Sequence, residues 1–339
     1  MTREKGKGKR ENDSLSLLPV SFSLPRVARY AVAVILTTYV IWKADPASVW
    51  RATAGAHLWW IGVAVALALV DRTLMAMRWL DLLAALTPGS RPPFPVVLRI
   101  FFVSTFMTNF MPSVAADMYR AYALARHDVH LAESAASVLM DRVLGVLSMV
   151  MLGVVALIPA SSVRLDFGMA LGLALTAAAC AAVALVVFSE RASTAVQHMA
   201  KALPWSRVHQ MTIALTDAVR RYSRHHIELV RVLAMSGGVQ AIRIVQAWCI
   251  GRALGIDLSL GAYFVLVPVI LVILQLPITI NGFGTGQLAF ERLFVPAGAS
   301  DAEAVALSIL FIALGFVGTV PGAILYAFRP ATAVERRSA

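Results

Sequence analysis

Two polar runs interrupt otherwise apolar stretches of this chain, and each has residues suited to holding an anion or gating a path. The first reads Asn109-Phe-Met-Pro112-Ser-Val-Ala-Ala-Asp117-Met-Tyr-Arg120. Pro112 cannot continue a helix from the preceding turn without freeing carbonyls, and Asn109 offers an amide to those carbonyls or to a ligand. Asp117 and Arg120, three residues apart, share one helical face, and Asp141 and Arg142 open a later apolar segment. Carboxylates and guanidinia at one membrane depth suit a gate network or a headgroup site; a structural charge cluster at the interface is the alternative. The second run reads Pro277-Ile-Thr-Ile-Asn281-Gly282-Phe-Gly284-Thr-Gly286-Gln287-Leu-Ala-Phe-Glu291-Arg292. Alternating glycines let backbone amides turn toward an anion, and the helix that follows adds a positive dipole end; close helix packing would explain the same glycines.

Ionisable groups within apolar segments are costly and normally pair or face a wet cavity. Asp71 and Arg72 are adjacent, point in different directions on a helix, and are each expected to meet another helix. Gln240, Arg243 and Gln246 form a polar stripe just after the flexible Ser236-Gly237-Gly238. The Arg243 fork suits phosphate, whereas a purely structural role would need a buried carboxylate partner.

Composition says where these residues sit. Hydrophobic residues make up 59% of the chain and charged ones 14%, too little polar side chain to cover a soluble protein of this length. The chain reads as an integral membrane protein. Its net charge of +11 is spread along the borders of apolar segments, which excludes a nucleic-acid module and fits membrane topology. Cys180 and Cys249 lie in apolar runs and provide neither a disulfide framework nor a metal site, and no cofactor is implied.

A bilayer core needs about 20 apolar helical residues. Six segments qualify as full spans: Val27–Trp42, Leu58–Leu80, Val138–Pro159, Phe167–Phe188, Leu229–Leu254 and Ala304–Phe328. Pro95–Pro112 and Ala262–Ile280 run into the two breaks and read as broken or re-entrant elements. Residues 1–25 form a disordered basic tail, 26–329 a single transmembrane domain, and 330–339 a short tail. Basic residues concentrate in the N-terminal tail, in 189–228 and at the C-terminal end, which places these three in the cytoplasm of a multi-pass protein of the cell membrane. Four of the seven histidines also fall in 189–228, whose apolar spacing suggests amphipathic helices on an anionic surface; a solvated topological loop reads as well. Parity then makes both broken elements hairpins of opposite orientation, as an inverted repeat gives. The expected fold is all-α, with about six full spans plus two oppositely oriented hairpins. Eight plain spans are the alternative.

The order Asn109-x-x-Pro112, Asp117-x-x-Arg120, Leu139-Met-Asp141-Arg142-x-x-Gly145, the Pro277-to-Gln287 glycine turn and Pro321-Gly322-x-x-x-Tyr326 resembles the lysylphosphatidylglycerol synthase transmembrane-region family, described as flippase-like membrane proteins. The resemblance runs from about Leu58 to Arg329. It departs where the family has a glycine-rich approach to its aspartate, here Ser113, Ala115 and Ala116, and where it has a glutamate, here Gln287; Glu291, one turn on, lies on the same face. The resemblance implies movement, or assisted movement, of an anionic phospholipid or lipid-linked headgroup between leaflets, with no aminoacyl-transferase domain and no catalysis. Arg120, Arg142 and Arg243 would hold phosphate while Asp117, Asp141 and Glu291 balance or gate them. The implied partners are membrane lipids, with a second copy of the chain or a lipid-modifying enzyme as protein partner. A membrane-embedded enzyme or accessory subunit acting on a polyprenyl-phosphate or glycolipid is the alternative, as is a structural adaptor.

Overall fold

A computed structural model of the protein describes residues 46–87, 91–111, 113–127, 129–157, 220–222, 225–275 and 283–327, with single positions at 38, 89, 178 and 181. Among the described residues every regular element is an α-helix. In chain order they are α1 (Pro46–Ala54), α2 (Leu58–Leu86), α3 (Phe94–Met107), α4 (Ser113–Ala125), α5 (Leu131–Leu157), α6 (His226–Ala253), α7 (Leu260–Gln275), α8 (Thr285–Phe294), α9 (Asp301–Val317) and α10 (Val320–Ala327). Apart from single positions at 38, 178 and 181, the expected spans Val27–Trp42 and Phe167–Phe188 lie outside the described residues, as do both tails and most of the 189–228 connection.

Three described stretches are long and apolar enough to cross a membrane: Leu58–Leu86, Leu131–Gly153 and Asp301–Ala327. Two of them extend the boundaries drawn from sequence. The α2 helix runs past Leu80 through Asp81 to Leu86, and α5 starts at Leu131 rather than Val138. Asp141 and Arg142 therefore do not open their helix but sit ten residues into it, about 15 Å at 1.5 Å per residue. The third stretch is divided, because a turn at Gly318–Thr319 separates α9 from α10. The α9 start is set by Ser300, whose hydroxyl accepts from the Glu303 amide while the Glu303 carboxylate accepts from the Ser300 amide.

The α6 helix has 28 residues, but its polar stripe keeps it out of the apolar set. Ser236-Gly237-Gly238, read as flexible, lies inside this helix without interrupting it. Small residues let helices approach within a membrane, and a side chain on Gly238 would meet Leu74 of α2. The α2–α6 contact is the most extensive in the described structure. The two helices run antiparallel and are tied at both ends. The His57 amide donates to the Ala253 carbonyl at 2.8 Å, and the Tyr222 hydroxyl donates to the Leu82 carbonyl at 2.8 Å.

Around this pair the chain forms two apolar clusters. One joins α2, α5, α6, α7, α8 and α9 and includes the aromatic group Tyr263, Phe290 and Phe294. The other collects Trp79, Phe101, Leu124, Val129 and Val138 where α2, α3, α4 and α5 meet. The first broken element is helix, turn, helix: α3 ends at Met107, residues 108–111 turn, and α4 returns against it. Fourteen residues make α3 about 21 Å long, short of a core about 30 Å thick. In the second element α7 packs against α8, with the intervening residues 276–282, including Asn281 and Gly282, outside the described set. Pro268 sits inside α7, where neighbouring helices tolerate it, and a side chain on Gly153 of α5 would meet its ring.

A buried arginine network between the broken element and the long helices

The polar stripe of α6 faces an unbroken stripe on α2. On α2, Asp71, Met75 and Arg78 fall at helical steps of four and three; on α6, Ser236, Gln240 and Arg243 do the same. Because the helices are antiparallel, Arg78 meets Ser236 and Asp71 meets Arg243. A seven-residue step, two turns or about 10.5 Å, separates the two pairs on each helix.

At the Arg78 level the structure joins four expected residues to one the sequence reading had passed over. Arg78, 2% exposed, donates from Nε and Nη2 to Asp141 Oδ1 at 2.8 and 2.6 Å, from Nη2 to the Asp141 carbonyl at 3.3 Å and from Nη1 to Ser236 Oγ at 2.9 Å. Arg120 reaches the other Asp141 oxygen at 3.4 Å and Asp117 at 3.8 Å. Asp117 in turn pairs with Arg142. Arg120 is buried with its guanidinium carbon 4.4 Å from the centre of the Trp79 ring and 4.6 Å from that of Phe101. Such cation–π contacts contribute about 2 kcal/mol each when desolvated. They also fix the guanidinium plane, so the in-plane N–H groups have fixed targets. Two targets are the carboxylates; Arg120 Nε is buried with no acceptor among the described residues. The signal for Arg78 was present in the spacing, since it repeats the Asp71 face at the seventh residue.

Two turns away, Arg243 Nε donates to Asp71 Oδ1 at 3.2 Å and Arg72 Nη1 lies 3.7 Å from Asp71 Oδ2. Asp71 is thus the carboxylate partner that a structural role for Arg243 requires. Asp71 meets another helix as expected, whereas Arg72 reaches its neighbour's carboxylate, which corrects the expectation for Arg72. Between the levels Gln240 donates to the Gly145 carbonyl at 3.4 Å, and its Oε1 is buried without a partner among the described residues.

The remaining expected residues divide. Asn109 Nδ2 donates to Thr319 Oγ1 at 2.9 Å, joining the first break to the α9–α10 turn. Pro112 lies outside the described residues. In the second element Gly284 has φ +84°, the left-handed region that glycine enters without penalty. Its amide does not face an open cradle: it donates to Gln287 Oε1 at 2.5 Å, so the helix start is capped from within. A Cβ on Gly286 would sit 3.2 Å from both Leu274 and Ile312, the close packing of α8 between α7 and α9. Gln287 and Glu291 are buried on one face, and Arg292 is exposed.

A helical membrane protein with a buried arginine–carboxylate network, built where a broken helix meets long ones, is the class these observations define. The model of the family described as lysylphosphatidylglycerol synthase TM region matches residues 26–322, and the chain belongs to that family. No curated protein and no solved structure matches it. Family membership makes it a multi-pass membrane protein, and the family is associated with membrane phospholipids.

Proposed function

We propose that the protein moves, or helps to move, an anionic phospholipid or lipid-linked headgroup between leaflets, without catalysing a reaction. The observation that supports this best is Arg120. It is a buried cation on the return half of a broken helix, held by two aromatic rings and two carboxylates, with its Nε donor left without an acceptor among the described residues. A headgroup phosphate is a natural acceptor for such a donor, since charge-assisted bonds to a guanidinium are short and strong. Acyl chains would stay in lipid while the phosphate follows the polar face between α2 and α6. The carboxylates favour binding over acid–base chemistry, because Asp117 and Asp141 are both engaged by arginines and a general base must be free to take a proton. In this reading the two broken elements enter from opposite faces, the N-terminus, the 189–228 connection and the C-terminus are cytoplasmic, and the membrane is the cell membrane.

The test is a reconstituted leaflet assay with labelled phosphatidylglycerol and phosphatidylcholine. Arg120→Lys keeps a cation for both carboxylates, so the variant should fold, but it loses the planar fork and most of the ring contact. Slower phosphatidylglycerol movement in that variant is expected. Wild-type liposomes that move no lipid faster than protein-free ones would overturn the proposal.

A further inference from the structure

Among the described residues the Asp71–Arg72–Arg243 centre is short of one negative charge. Two guanidinia share one carboxylate, and the other acceptor they have in common is the Met75 sulfur, at 3.7 Å from Arg72 Nη1 and 3.1 Å from Arg243 Nη2. A thioether is a weak acceptor and carries no charge. Arg72 Nε is buried with no acceptor among the described residues. Arg243 gives its Nε to Asp71, and the buried donor without an acceptor among the described residues is Arg72 Nε.

That donor faces the place where two interruptions of the chain meet. A Cβ on Gly318, in the turn between α9 and α10, would lie 3.6 Å from Arg72 Nε. The next residue, Thr319, takes the bond from Asn109 at the tip of the first broken element. Irregular backbone at membrane depth is tolerated where it is buried in protein or lines a polar cavity. Here the Gly318 turn adjoins an arginine that is undercompensated among the described residues, and the first break is bonded to that turn.

We propose that Arg72, held in place by the Asp71–Arg243 pair, is a second receiving group for a singly charged phosphodiester, seated at the Gly318 turn about two helical turns from the Arg78 cluster. The inference rests on the lipid-handling reading above and narrows its substrate class. One monoanion brings the centre to neutrality, whereas a doubly charged phosphomonoester would leave a net negative charge in a low-dielectric site. Arg243 then positions the carboxylate and does not bind the ligand.

Thermal melting of the detergent-purified full chain, titrated with dioleoylphosphatidylglycerol, dioleoylphosphatidylcholine or inorganic phosphate, tests this. Arg72→Gln leaves Asp71 with Arg243 and so should fold. Gly318→Ala keeps all charges, and at φ −60° its backbone is one that alanine adopts freely, but its methyl group covers Arg72 Nε. Both variants should melt like the wild type without lipid. Phosphatidylglycerol should protect the wild type far better than phosphatidylcholine, and Arg72→Gln should weaken its apparent affinity by about tenfold or more, the loss of one charge-assisted bond. If Arg72→Gln does not fold, reduced protection of Gly318→Ala supports the site and full protection overturns it. Protection by inorganic phosphate equal to that by phosphatidylglycerol overturns the lipid form of the site. Full protection of both variants, with protection lost in Arg120→Lys, overturns this second station and leaves the lipid-handling reading intact. A wild type protected by no phospholipid and inactive in the leaflet assay overturns both.

Discussion

The Arg78–Asp141 pair sets a stability experiment whose outcome the geometry orders in advance. Removing one member of a buried pair typically costs about 3–5 kcal/mol, because the other charge is left uncompensated. The two removals are not equivalent here. Arg78→Met leaves Asp141 with Arg120 at 3.4 Å, so the carboxylate keeps a weaker partner and the cost belongs near the lower end, about 3 kcal/mol. Asp141→Leu strips the charge partner from Arg78, leaving it Ser236 and the backbone carbonyl of residue 141, and leaves Arg120 with Asp117 at 3.8 Å. Two buried cations lose compensation at once, so the cost belongs near the upper end, about 5 kcal/mol. The double variant removes one cation and its carboxylate together. It should therefore be no less stable than Asp141→Leu alone, which sets the coupling at about 3 kcal/mol relative to an additive cost of about 8 kcal/mol. Reversible unfolding of the purified protein in mixed detergent micelles measures all four corners of the cycle. Strict additivity, or Arg78→Met costing more than Asp141→Leu, would refute the claim that Asp141 is the shared hub of two arginines.

Two further expectations concern topology and packing. In a background lacking Cys180 and Cys249, Ser206→Cys and Ser338→Cys should react with a membrane-impermeant thiol reagent in inverted vesicles and stay protected in intact cells; external labelling of Ser338→Cys would remove the paired-hairpin arrangement. Gly322→Ala should destabilise the contact of α10 with α3, since the added carbon would fall on the Phe102 carbonyl group, 2.6 Å from its carbon and 3.0 Å from Phe106 Cβ. Overpacking of this kind costs about 1–3 kcal/mol or more, visible as a lowered melting temperature, and an unchanged one would refute the close α3–α10 approach.

How much of the site could be read in the chain depended on whether the signal was local. Asp117 and Arg120 share a face by spacing alone, and Asn109-x-x-Pro112 marks a break because proline withholds an amide. Both features appear in the structure without help from distant contacts. Gly284 to Gln287 was also local, yet its role reversed: the same side chain that replaces the family's glutamate bends back onto the helix start and takes the amide that an anion would need. Helix ends were less legible, because Trp79-Leu-Asp-Leu-Leu continues a helical pattern through a charge that marks a boundary in a purely hydropathic reading. The pairing of Asp71 with Arg243, 172 residues apart, has no local signature at all.

What makes those distant pairs specific is the antiparallel register of α2 and α6, and that register has an independent cause. The His57–Ala253 and Tyr222–Leu82 bonds pin the two ends, while Gly238 lets the backbones close on Leu74 between them. With both ends fixed, a seven-residue step on one helix must match a seven-residue step on the other, so Arg78 finds Ser236 only if Asp71 finds Arg243. A slip of one residue would turn a facing side chain by about 100° and leave several buried charges unpaired at once, each costing several kcal/mol. The charges therefore specify the helix pair as much as the helix pair positions the charges. Among the described residues the Nε donors of Arg120 and Arg72 have no acceptor, and it is there that the proposed headgroup contacts fall.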